Sequence, residues 1–336
     1  MRQTLRYLPA QFLGPLVQFA SVLVWTHLMP PSDFGYFSLV LAIQELAFLV
    51  CLSWWSHYVM RYLPGAEGAC IGQRSEGAIL VMMTVAQIPL VAICLVMTNA
   101  HEDALLVVAT LAFVLGRTVA NYLGERARAS GQILTYTMVQ TVNPILGFAL
   151  GLGLLAVCTP STAILGGFAI VQTAMLPWLT RRLKIGRIGL RLDYTVLRPA
   201  LSYGVPLLVS GALGWVSSNI IRVIIEYQDG LAAVGLLSVG WNLSQRLLAV
   251  MALLVTVAAF PLAVQRLSAG KRASLDQIAL NGTLLIALMI PATFGLIAIA
   301  RPLTEAMVGP EFREATLAIL PFATLAAAVR NLRMHF

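Results

Sequence analysis

Long apolar runs alternate with short polar clusters along this chain. A membrane helix needs about 20 mostly apolar residues to cross roughly 30 Å of hydrocarbon. The first run, from about Leu8 to Met29, follows Arg2 and Arg6. It is too long for the apolar region of a signal peptide and lacks a small-x-small cleavage site, so it reads as a span. Further spans are expected at about 34–56, 78–98, 104–124, 133–157, 163–180, 200–225, 233–262, 277–300 and 315–334. The pattern predicts an all-α integral membrane protein of about ten transmembrane helices, with no loop long enough to fold separately.

Composition agrees. Of 336 residues 59% are apolar and 11% charged, against roughly a quarter charged in an ordinary soluble domain. So few charges cannot cover the surface of a water-soluble enzyme, and so apolar a chain does not stay disordered. The net charge of +8 does not point to nucleic acid, because 20 of the 22 cations are Arg set in short clusters between apolar runs. That pattern is topogenic. One set of alternate loops holds 17 cations: Arg2, Arg6, Arg61, Arg74, Arg126, Arg128, Arg181, Arg182, Lys184, Arg187, Arg191, Arg198, Arg266, Lys271, Arg272, Arg330 and Arg333. The opposite set holds Arg301 and Arg313 and most of the loop carboxylates, including Asp33, Glu102, Asp103, Glu226 and Asp229. Both ends of the chain are therefore expected in the cytoplasm. Cys51, Cys70, Cys94 and Cys158 lack metal or redox spacing and read as small membrane-buried hydrophobes.

The largest inner loop suggests a division into a six-helix lobe over residues 1–180, a basic cytoplasmic linker at 181–198, and a four-helix lobe over 199–336. An offset of 200 residues relates the two sides. Leu13-Gly14 recurs as Leu213-Gly214, Gly35 as Gly235 and Ser38 as Ser238. Six spans is an even number, so the second copy would enter the membrane in the same direction, as in parallel-repeat transporters. The second lobe then lacks two spans, and a truncated or fragmentary sequence is expected.

The residues resemble the polysaccharide flippases, the Wzx-type O-antigen and exopolysaccharide translocases of the superfamily that also holds multidrug exporters and lipid II flippases. The resemblance runs through Asp33-Phe34-Gly35-Tyr36, Arg61-Tyr62-Leu63-Pro64, Tyr203-Gly204-Val205-Pro206, Arg222, Val234-Gly235-Leu236 through Asn242-Leu243, Phe260-Pro261, Pro291 and Gly309-Pro310-Glu311-Phe312. Two departures stand out. Ile221 precedes Arg222 where the family usually has an acidic residue, and the family usually has twelve to fourteen spans. The resemblance implies an inner-membrane carrier of an undecaprenyl-diphosphate-linked oligosaccharide for O-antigen, capsule or exopolysaccharide synthesis, working by alternating access. It implies membrane lipids, a polysaccharide polymerase and chain-length proteins as partners. The residues themselves form no nucleophile–base arrangement or metal cluster near a membrane face, so no catalytic residue, metal, cofactor or nucleic-acid partner is expected.

Such a substrate needs a wet cavity with cations for the diphosphate and polar groups for hydroxyls. Arginine suits phosphate because its fork donates in pairs. The candidates within spans are Arg117 with Asn121 one turn on, Arg222, and Arg246 with Asn242 and Gln245 beside it. Snorkelling or ion pairing competes with substrate binding, most of all for Arg222 near an interface. Glu45, the one carboxylate deep within a predicted span, is expected either to pair with an arginine or to serve as a proton or sodium coupling site. Gln140 and Asn143, just before Pro144, are expected to satisfy a broken helix. Gln172, His27 and the Gly147-x-x-x-Gly151 stripe are expected in helix packing. Prolines in or beside most spans suit kinked, mobile helices. Two alternatives stay open: a multidrug or cation exporter of the same superfamily, and a non-transporting membrane scaffold of the polysaccharide assembly complex. Three arginines against one glutamate favour an anionic substrate.

Overall fold

The computed structural model describes residues 2–63, 73–185, 192–267 and 271–333. Pro64, Cys70, Arg187, Arg191 and the last three residues, which figure in the expectations above, lie outside them. Among the described residues there is no strand. The helices are α1 (Arg2–Leu28), α2 (Pro31–Phe48), α3 (Trp54–Tyr62), α4 (Gln73–Val85), α5 (Ile88–Met97), α6 (Ala104–Ala129), α7 (Ile133–Leu154), α8 (Pro160–Arg182), α9 (Tyr194–Leu267), α10 (Lys271–Ala298), α11 (Ala300–Met307) and α12 (Arg313–Arg333). A wide π turn, Leu49–Ser53, joins α2 to α3 within one span, and a short turn at Ala86–Gln87 joins α4 to α5.

Eight helical runs among the described residues are long and apolar enough to cross a membrane. One of them, Tyr194–Ala252, is 59 residues long and holds two spans. Between them Gly230 leaves the helical conformation at φ 78°, ψ −179°, a region that costs a residue without Cβ little. With Leu16–Leu28 of α1, the expected multi-pass all-α architecture is borne out.

Contacts divide the chain into two compact units, one of residues 1–21 and 32–234, the other of 22–31 and 235–336. In the first, packing depends on bare backbone. A Cβ on Gly167 of α8 would meet the Gly151 backbone of α7, and one on Gly147 would run into the Phe168 ring. This is the close approach expected of the α7 glycine stripe; without a hydrophobic driving force between helices, such small-residue contacts hold spans together. Gly204 of the Tyr-Gly-Val-Pro stretch does the same work, since its Cβ would stand 2.6 Å from the Trp54 carbonyl oxygen. The Trp215 indole N–H donates to the Ala42 carbonyl at 2.9 Å. Gly14 and Gly214, matched in the repeat, differ in surroundings: a Cβ on the first would lie 2.6 Å from the Gln140 carbonyl oxygen, whereas the second has open space.

In the second unit, Ser244 of α9 faces α12, where its hydroxyl accepts from Thr324 at 3.1 Å. A Cβ on Gly240 would come within 3.4 Å of Ile319. Gly309 lies so close to the Thr26 carbonyl that no side chain fits, and its N–H donates to Thr26 Oγ1 at 3.0 Å. The glycine of Gly-Pro-Glu-Phe is thus fixed by sterics.

Candidate functional site

Arg117 stands at the middle of α6, in a helix whose first half is almost wholly Leu, Val, Ala and Phe. Its Nε donates to Gln44 Oε1 of α2 at 3.0 Å, and the Gln44 amide donates onward to Thr118 Oγ1 at 3.3 Å. The guanidinium carbon lies 5.6 Å from the centre of the Phe113 ring, within cation–π range. These partners hold the side chain from one side and leave its fork free to line a small cavity of about 30 Å³. Around that cavity stand Gln18 of α1, Asn121 of α6, Gln140 and Asn143 of α7, and Phe168 of α8.

Arg117 and Asn121 therefore share a face, as their spacing requires. Gln140 and Asn143, expected to satisfy the helix broken at Pro144 more than to bind a ligand, line the same cavity. The cavity has room for about one water. Asn143 Oδ1 is buried without a hydrogen-bond partner, as are Thr137 Oγ1, Thr141 Oγ1 and both amide atoms of Gln172. Buried polar groups normally find partners, and these find none among the protein groups around them. A guanidinium ringed by carboxamides offers donors to anionic and hydroxyl oxygens and carries no general base.

Glu45 and Arg222 form a second polar locus through an intermediary. Asn219 Nδ2 donates to Glu45 Oε2 at 3.5 Å, and Asn219 Oδ1 accepts from the Arg222 guanidinium. Asn219 is buried. The third locus is in the other unit. Asn242, Gln245 and Arg246 of α9 are each half-buried, and the Gln245 amide nitrogen is buried without a partner.

One cluster escaped the sequence reading. Glu76 and Arg126 count as loop residues by hydropathy, yet Glu76 is fully buried at the start of α4 and Arg126 is 11% exposed. Arg126 Nε lies 2.9 Å from Glu76 Oε1, which also accepts from the Tyr122 hydroxyl. The Trp55 indole donates to Tyr122 at 3.0 Å, and Ser56 donates to Glu125 at 2.7 Å. Span two is tied to α4 and α6 at this end. The one signal available was Glu76 and Arg126 each standing at a helix end next to a long apolar run. Cys51 and Cys94 are buried and Cys158 half-buried, none in a disulfide.

No curated protein sequence matches the chain. Among solved structures, the chain is similar to an inward-facing multidrug resistance MATE family transporter of the MOP superfamily. The TM-score is 0.57 over 99% of this chain and 84% of that one, at 12% identity. The fold is thus one that a multi-pass membrane transporter also has. The sequence model described as polysaccharide biosynthesis protein matches residues 73–317, most of the length, and on that match the chain belongs to the polysaccharide biosynthesis protein family.

Proposed function

We propose that the protein is a flippase that carries an undecaprenyl-diphosphate-linked oligosaccharide across the inner membrane for O-antigen, capsule or exopolysaccharide synthesis. The observation that carries this reading is the family match over residues 73–317 on a transporter fold. Arg117, Asn121, Arg222, Asn242, Gln245 and Arg246 bind the anionic head group, and Glu45 is either the coupling-ion site or the acidic end of the relay through Asn219 to Arg222. Lobes of residues 1–180 and 199–336, joined by the basic segment 181–198, alternate in access. Both ends of this chain face the cytoplasm. The head group does not fit the cavity at Arg117 as it stands, so that cavity must widen in another state. A polysaccharide polymerase and chain-length proteins are the partners that would take the product onward.

The test locates the lipid-linked oligosaccharide in cells lacking the protein. Accumulation on the cytoplasmic leaflet, relieved by the parental gene, supports flipping. Arg246→Ala should abolish relief at unchanged protein level, and relief at the parental rate would remove Arg246 from the site. The likeness to a multidrug transporter favours one second reading, export of cationic drugs. A normal oligosaccharide distribution with new drug sensitivity would establish it.

A further inference from the structure

Away from these loci, two helix ends of the first unit meet at a basic cavity. α6 ends at Ala129, and Gly131 at φ 70° turns the chain into α7. The turn is closed by the Gln132 N–H donating to the Ala127 carbonyl at 2.9 Å. α8 ends at Arg182, and Lys184 takes a left-handed conformation at φ 51°. There the Ile185 N–H donates to the Thr180 carbonyl at 3.1 Å. Between the two turns lies a cavity of about 430 Å³, lined by Gln132, Leu134, Thr135, Arg182 and Lys184 among others. None of its lining residues is acidic.

The cavity presents donors from three sources. Arg182 and Lys184 supply two exposed cations. α7 begins without a side-chain cap, whereas Asp103 caps α6 by accepting from the Leu105 and Leu106 N–H groups. The N–H groups of Leu134 and Thr135 come too early in α7 for an intrahelical acceptor. The Thr135 hydroxyl donates to Gln132 Oε1 at 3.2 Å, which occupies that oxygen and leaves the amide NH₂ to donate. Arg128 adds a third cation nearby, its guanidinium carbon 6.0 Å from the Tyr136 ring centre. Cations, a helix start and an amide all ask for a compact oxyanion.

The apolar surroundings decide which one. Leu134, at the start of an apolar span, is 73% exposed, an apolar surface beside the donors. A phosphate with an apolar body attached satisfies both. The cavity also stands among the cluster-forming loop cations, the side on which anionic lipid is attracted to basic segments. We infer that this cavity binds the phosphate of an anionic phospholipid, which seats the α6–α7 turn and the end of α8 at the membrane surface. The inference is independent of which molecule the protein carries.

The test uses the full chain in nanodiscs of mixed phosphatidylglycerol and phosphatidylcholine, with lipid retained on release read by native mass spectrometry. The parental protein should retain phosphatidylglycerol over phosphatidylcholine by roughly tenfold or more, given two interfacial cations. The double variant Arg182→Gln with Lys184→Asn should fall to near parity; Asn tolerates the left-handed position. Gln132→Asp should do the same by a different route, since its carboxylate caps α7 and repels phosphate while keeping the helix start. Arg330→Gln with Arg333→Gln removes as many charges from α12 and should retain the preference. Equal preference in the parental protein and in both cavity variants overturns the proposal, and so does equal loss in the α12 variant. Displacement of phosphatidylglycerol by millimolar inorganic phosphate would assign the cavity to free phosphate instead.

Discussion

At the scale of single residues, Arg117, Glu45 and Arg222 meet carboxamides, whereas Glu76 meets Arg126 directly. Glu76 has the most to lose. It is fully buried, and Arg126 and Tyr122 both donate to one oxygen. Glu76→Ala would strand Arg126 in a poorly solvated site and should cost about 3–5 kcal/mol. Thermal unfolding in detergent measures this. Replacing both partners, Glu76→Leu with Arg126→Met, should recover most of the loss, because removing a whole buried pair is far cheaper than breaking it. A double variant as unstable as Glu76→Ala would show that the pair itself matters. The sequence made Arg117 and Asn121 legible because four residues along a helix is a fixed angle. It did not make Gln18, Gln140 or Asn143 legible as their neighbours, because contacts between helices follow from packing that no spacing encodes. Glu76 was hidden for a different reason: hydropathy averages over a window, so a buried charge at the first turn of a span counts as loop.

At the scale of elements, the apolar runs located the spans well, since length and hydropathy are the physical requirement for crossing. What they left out was how closely the spans approach. Gly166 and Gly167 are adjacent, yet a Cβ on the first would make ordinary contact with Leu154 at 3.4 Å, whereas one on the second would strike the α7 backbone. Gly167→Ala should therefore destabilise by about 3 kcal/mol, as overpacking does. Gly166→Ala should be neutral or stabilising by up to about 1 kcal/mol, from helix propensity. Unfolding of both variants under one condition compares them directly, and equal stability would mean that α7 and α8 can part without cost. The long helix α9 makes a related point. Its hydropathy predicts two spans, and the break falls at Gly230 because only glycine takes that conformation readily.

At the scale of the molecule, orientation is a matter of which loops hold the arginines. On the positive-inside rule, Lys184 is expected on the cytoplasmic side and Glu102 outside. In a background lacking native cysteines, Glu102→Cys should react with a membrane-impermeant maleimide added to intact cells. Lys184→Cys should react only after permeabilisation. The reverse pattern would invert the topology and with it the direction of proposed transport.

The π turn at Leu49–Ser53 carries a last consequence. It holds one residue more than an α-helical path would need. Upstream of it, Gln44 and Glu45 meet Arg117 and Asn219; downstream, Trp55 and Ser56 meet Tyr122 and Glu125. Closing the same residues into a regular α-helix would turn the downstream half by about 100° and push it out by about 1.5 Å. Both sets of partners could not then be met together. A homologous chain with a straight second span would be expected to show a one-residue gap between the positions of Glu45 and Trp55. The gap would keep both halves in phase with their partners and would not mark a lost function.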